Sequence, residues 1–101
     1  MAEDLDLGGW RVVLLEEAVG DLEGLDQSVQ ARILKGLHRL EIDPLSYGKP
    51  LGKELAGCYK LRLGAWRAVY DVDRARELVR VIMIEHREKV YAGAKKRLEE
   101  G

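Results

Sequence analysis

The chain has 101 residues, 47% apolar and 35% charged, which fits one domain around one core and excludes disorder of the chain as a whole. Its longest apolar run is far short of a membrane span, and the acidic start MAEDLDLGG lacks the basic and apolar regions of a signal peptide, so a cytoplasmic protein is expected. The net charge of -1 hides an asymmetry: residues 1–26 carry eight acids and one base, and residues 27–101 carry sixteen bases and ten acids.

Residues 1–9 are read as a flexible N-terminus of a single domain spanning 1–101. WRVVLL, residues 10–15, is rich in β-branched and bulky apolar residues and predicts a strand. EEAVGDLEGLD, residues 16–26, changes period: Ala18, Leu22 and Leu25 share one helical face, weakened by Gly20 and Gly24. Asp26 is placed to cap the next helix. Over residues 27–41, Val29, Ile33, Leu37 and Leu40 form a helical stripe that Leu34 widens, and Asp43-Pro44 ends it. Residues 44–57 hold both prolines and Gly48, Gly52 and Gly57, and read as a loop with a short helical turn in LGKEL. Three strands follow, over 59–63, 67–72 and 78–85, with turns at Gly64-Ala65 and 73–76. A last helix starts near Glu88 and carries Val90, Ala94 and Leu98 at four-residue spacing. The order is β-α-α-β-β-β-α. The fold class is α+β, a mostly antiparallel four-stranded sheet with a helix hairpin packed on it.

CYKLRLGAWRAVY, residues 58–70, sets Lys60, Arg62 and Arg67 among strand-like apolar residues. Strand alternation sends Tyr59, Leu61 and Leu63 one way and Cys58, Lys60 and Arg62 the other. Arg67 and Arg87 would join the second set, making a basic patch on a rigid sheet. The solvated outer face of a half-buried sheet explains the same residues, and Arg80, alternating with Val79, Val81 and Met83, fits that reading best. Cys58 reads as a small strand residue. A lone cysteine with His38 and His86 far apart gives neither disulfide nor metal site, and no cofactor is called for.

No P-loop, GxGxxG, HExxH or nucleophile elbow occurs, and no carboxylate pair suits a hydrolase. Glu85 is the one acid near the patch and reads as charge-balancing. What cations can do is phosphate chemistry. RNA supplies its own nucleophile, the 2′-hydroxyl. A catalyst has only to align it, remove its proton, stabilise the phosphorane and protonate the leaving oxygen. Basic side chains and a tyrosine suffice without a metal. A lysine among like charges gives up its proton more readily, whereas arginine keeps it.

At these residues the chain resembles the RelE toxins of the RelE/ParE superfamily. The resemblance runs over residues 10–98 and rests on CYKLRLGAWRAVYDV (58–72), VRVIMIEHREKVY (79–91), AKKRL (94–98) and the linking loop DPLSYGKPLGKELAG (43–57). It implies a type II toxin that cleaves messenger RNA in the ribosomal A site and is held inactive by a cognate antitoxin. It places the catalytic set at Lys60, Arg62, Arg67, Arg87 and Tyr91. Lys60 and Arg62 would contact phosphate and help activate the 2′-hydroxyl, and Arg67 would stabilise the transition-state charge. Arg87 would help the leaving group, and Tyr91 would orient or stack on a base. Arg62 departs from the family's second lysine. The implied partners are the antitoxin, the ribosome and mRNA, with no membrane. An apolar groove between helix hairpin and sheet would receive the antitoxin. Two other readings share the fold: a ParE-like inhibitor of DNA gyrase, and a catalytically silent RNA- or protein-binding module.

Overall fold

A computed structural model describes residues 9–52 and 55–100. The expected flexible N-terminus, apart from Gly9, lies outside these residues, as do Lys53 and Glu54 of the expected LGKEL turn. β1 (Arg11–Leu14) leads into α1 (Glu16–Glu23) and α2 (Gln27–Leu37). Then come α3 (Arg39–Ile42), α4 (Pro44–Tyr47) and a two-residue strand, β2 (Lys49–Pro50). β3 (Cys58–Leu63), β4 (Trp66–Asp73) and β5 (Leu78–His86) form a meander, and α5 (Val90–Glu100) closes the chain. The expected order holds, with α3 split from the end of the expected 27–41 helix and α4 and β2 added inside the link. The sheet has five strands rather than four, in the order β1-β5-β4-β3-β2, and only the β1–β5 pair is parallel.

The helix expected over 27–41 breaks at His38. There the backbone tightens, with the His38 N–H donating to the Lys35 carbonyl at 3.3 Å, three residues back. Asp26 stands at the N-cap of α2 without a side-chain bond, contrary to its expected role. Asp43 does cap: its carboxylate accepts from the Ser46 N–H at 3.1 Å, with Pro44 in the first helical turn of α4. Gly36 lets α2 approach β3 closely: a Cβ there would meet the end of the Leu63 side chain, which would have to turn aside.

One face of the sheet carries the main core. Ala18, Leu22, Ile33, Leu37 and Leu40 from the helices meet Leu61, Ala68, Tyr70, Val79, Val81 and Ile84. The other face is not simply a solvated surface. Leu51, Leu55, Cys58, Val69, Ile82, Met83, Val90 and Ala94 form a second cluster, in which α5 covers part of the sheet. The alternation expected through Met83 fails for a definite reason. Val69 pairs with Met83 and Tyr70 with Val81, so Ile82 is an extra residue in β5. This bulge puts Met83 and Glu85 on the α5 face, whereas Val79 and Val81 point to the helix hairpin. The helices of the described residues are all too short or too polar to cross a membrane.

Candidate nucleic-acid interface

Antiparallel register assembles the cations. Residues directly opposite each other share a face. Arg62 faces Arg67, Lys60 faces Val69, and Lys49 of β2 faces Lys60. Lys60 and Arg62 are two apart on β3, so Lys49, Lys60, Arg62 and Arg67 all lie on the α5 side of the sheet. Arg87 follows β5 in a turn, and its backbone N–H donates to the Ala65 carbonyl at 2.9 Å. This brings it to the β3–β4 turn beside Arg67. The turn itself is two residues, with Gly64 at φ 66°, where glycine is favoured.

Arg67 is held by one nitrogen. Its Nη1 donates to the Gly64 carbonyl at 2.7 Å and to the Trp66 carbonyl at 2.8 Å. Among the described residues Nε and Nη2 make no bond, so that edge of the fork can meet an anion. Partial desolvation, then the charges of Arg62 and Arg87, hold this guanidinium below the usual arginine range. Three arginines therefore feel one another at this end of the sheet. Glu85 stands opposite Arg67 in register, yet its carboxylate accepts the His86 N–H at 2.9 Å and forms no ion pair with Arg67.

Tyr91 lies in the first turn of α5 and is 46% exposed. Its hydroxyl sits over Gly52, where a Cβ would come within 3.8 Å of it. The five residues singled out in the sequence thus reach one side of the sheet, Lys60, Arg62 and Arg67 by register, Arg87 by a turn and Tyr91 by a helix. Lys49 was missed. Its strand has two residues, one of them proline, inside a segment that reads as loop.

Three cations elsewhere on the framework are paired with carboxylates. Arg80 shares the sheet face but is bonded by Nε and Nη2 to Asp71 at 2.9 and 2.7 Å. Arg97 of α5 grips Asp21 of α1 at 2.8 and 3.1 Å. Arg76 pairs with Asp73. Among the described residues Lys49, Lys60, Arg62, Arg67 and Arg87 have no carboxylate partner. Cys58 is buried, and burial followed by Asp71 pushes its thiol up, with Arg80 opposing. Trp66 packs against the main core and meets His86 edge-on, with ring centroids 5.5 Å apart.

A five-stranded sheet with one parallel edge, a helix hairpin on one face and, on the other, a cationic row without carboxylate partners among the described residues is the architecture of a small toxin fold. The family model for the ParE toxin of the type II toxin-antitoxin system parDE matches residues 12–91, and the chain belongs to the RelE/ParE superfamily of type II toxins. It is similar to toxin RelG of Mycobacterium tuberculosis, 33% identical over 72 residues that make up 70% of this chain and 83% of that protein. It is also 30% identical to toxin RelE of the same organism over 83 residues, 81% of this chain and 86% of that one. The solved toxin-antitoxin complex RelBE2 from M. tuberculosis contains a chain superposing with a TM-score of 0.74 at 31% identity, over 78% of this chain and 99% of that one.

Proposed function

We propose that this toxin is a ribosome-dependent endoribonuclease that cuts messenger RNA in the A site, as a RelE rather than a ParE. One observation carries the reading: Lys60, Arg62, Arg67 and Arg87 are gathered by register and turn at one face of the sheet and, among the described residues, none of them has a carboxylate partner. Uncompensated like charge on adjacent strands costs stability, and an anionic substrate offsets that cost.

The reaction needs no metal. The 2′-oxygen attacks the adjacent phosphorus as its proton passes to a base, a 2′-O–P bond forms and the P–5′-O bond breaks. The 5′-oxygen takes up a proton, which leaves a 2′,3′-cyclic phosphate and a 5′-hydroxyl. Lys60 takes the 2′ proton, since arginine at position 62 is a poor acceptor. Arg62 and the free edge of Arg67 stabilise the phosphorane charge, Arg87 assists the departing oxygen and Tyr91 orients a base. The ribosome supplies alignment, so cutting of free RNA is weak.

A cognate antitoxin holds the toxin inactive. Its apolar segment has a place to dock: a cavity of about 380 Å³ between α2 and the β3–β4 turn, walled by Val29, Ile33, Leu63 and Trp66. Arg32, Lys35 and Arg39 line the same cavity and suit an acidic segment.

The second reading, a gyrase inhibitor, is favoured by the family model, which is that of ParE. Purified toxin is added to programmed bacterial ribosomes, and primer extension maps the message, with an Arg67→Ala, Arg87→Ala variant alongside. A-site cuts that vanish in the variant support the nuclease. No cuts from folded, antitoxin-free protein would sink it, and loss of gyrase supercoiling would then establish the alternative.

A further inference from the structure

We infer that Lys49 is a substrate-binding residue that holds an RNA backbone phosphate next to the scissile one. The inference rests on the nuclease reading and extends its site to β2.

Lys49 pairs directly with Lys60 in antiparallel register, so the two side chains emerge on one face of neighbouring strands. Two lysines so placed repel each other, and among the described residues neither has a carboxylate partner. Lys49 is exposed. It is two strands and one two-residue step away from Arg67, a Cα separation of about 12 Å from the usual strand spacing and rise. The Arg67 guanidinium is also held back at the β3–β4 turn by the Gly64 and Trp66 carbonyls, away from the β2 edge. The arginines at the β3–β4 turn and the lysine pair at the β2 edge therefore suit successive phosphates of one strand, with Lys60 between them. Tyr91 leans over Gly52, close to the lysine end, where a base belonging to that stretch can meet its ring. A lysine suits the task, since a neighbouring phosphate needs a point charge with reach and no fixed fork.

A different role for the Lys49-Pro50 pair would be to blunt the open edge of the sheet against association with other strands. The two roles separate in kinetics. Cleavage by wild type, Lys49→Gln and Lys49→Arg is measured on programmed ribosomes across a salt series, with solubility followed in parallel. A phosphate contact raises KM five- to tenfold in Lys49→Gln near 0.1 M salt and leaves kcat within twofold. It lowers the log–log salt slope by about 0.7, the value for one single-strand phosphate contact. Lys49→Arg stays near wild type in both. If wild type cuts and Lys49→Gln keeps its KM and salt slope, Lys49 is not a phosphate ligand, and aggregation of that variant would assign it to edge protection. Equal impairment of Lys49→Arg and Lys49→Gln likewise overturns the inference, because charge is then not what matters. A wild-type protein that cuts nothing overturns the parent reading, and this one with it.

Discussion

Arg67 shows how one side chain can be both fixed and available. Two backbone carbonyls hold Nη1, and among the described residues Nε and Nη2 make no bond. Arg67→Ala should lower kcat on programmed ribosomes by about 10²–10³-fold, the usual loss for a donor aimed at developing charge, with folding unchanged. Arg67→Lys should recover little, since one ammonium cannot hold the turn and present a fork to phosphate. Tyr70 is the counterpart on the opposite face. It is fully buried, and its hydroxyl donates to the Pro44 carbonyl. Removing that hydroxyl in Tyr70→Phe strands a buried carbonyl and should cost about 1–3 kcal/mol in urea unfolding. Burial, then Tyr59 and Asp43, push the Tyr70 phenol up. The unfolded phenol ionises near pH 10, about its ordinary value. Above that pH the unfolded state releases a proton that the folded state keeps, so wild-type stability should fall as pH rises past about 10. Tyr70→Phe should show a flatter decline between pH 9 and 11. Alternation made the cations of β3 legible, because period two needs only local sequence. The role of Gly48 was not legible: a Cβ there would overlap the Tyr70 hydroxyl, a contact made across twenty-two residues of chain.

Among the elements, the junction of α1, β5 and α5 has no local signature. β1 stops pairing with β5 at Val81, and the Leu15 N–H makes the last bond, to the Val81 carbonyl. Beyond it β5 would expose unpaired backbone groups at the bulge. Asp21 accepts the Ile84 N–H at 2.9 Å, and Arg97 donates to the Ile82 carbonyl at 3.1 Å. Since Asp21 and Arg97 also bind each other, one pair completes the edge and ties α5 to α1. Asp21→Ala leaves the Ile84 amide unmatched and Arg97 with only the Glu17 carboxylate and the Ile82 carbonyl, and should cost about 2 kcal/mol, given that both side chains keep some solvent contact. Amide exchange should speed at Ile84 and along α5 before it does in α2. The double variant with Arg97→Ala should be less destabilised than the two single costs summed. The sequence could not supply this junction, whose partners are 76 residues apart. Nor could it supply the bulge, because VIMI is apolar throughout and gives no alternation to break. The meander was readable because its turns are short and carry glycine or a polar cluster. The second core was not, because α5 meets the sheet through residues that reach it only after the chain has folded.

At the scale of the whole molecule, a net charge of -1 argues against a ribosome ligand until charge is weighed against distance. Of the acids of α1, Glu17 and Asp21 are engaged by Arg97 of α5, and α1 itself lies with the helix hairpin on the face opposite the cation row, since Ala18 and Leu22 pack into the main core. The molecule measures 38 × 33 × 22 Å. At 0.15 M salt the screening length is about 8 Å, well under the thinnest of these dimensions. An approaching RNA surface therefore responds to the face in front of it and not to the total. At 0.03 M salt the screening length rises to about 18 Å, and the far acids begin to count. Glu16 and Glu23 are exposed on α1, and Glu16→Gln with Glu23→Gln brings the net charge to +1 without touching the site. Association with programmed ribosomes should quicken two- to fourfold at 0.03 M salt and stay within experimental scatter at 0.15 M. Arg62→Gln, which alters net charge by only one unit, should weaken binding at both. If the paired glutamine variant gained tenfold at 0.15 M, total charge rather than the local row would govern recognition, and the division of labour between the two faces would be wrong.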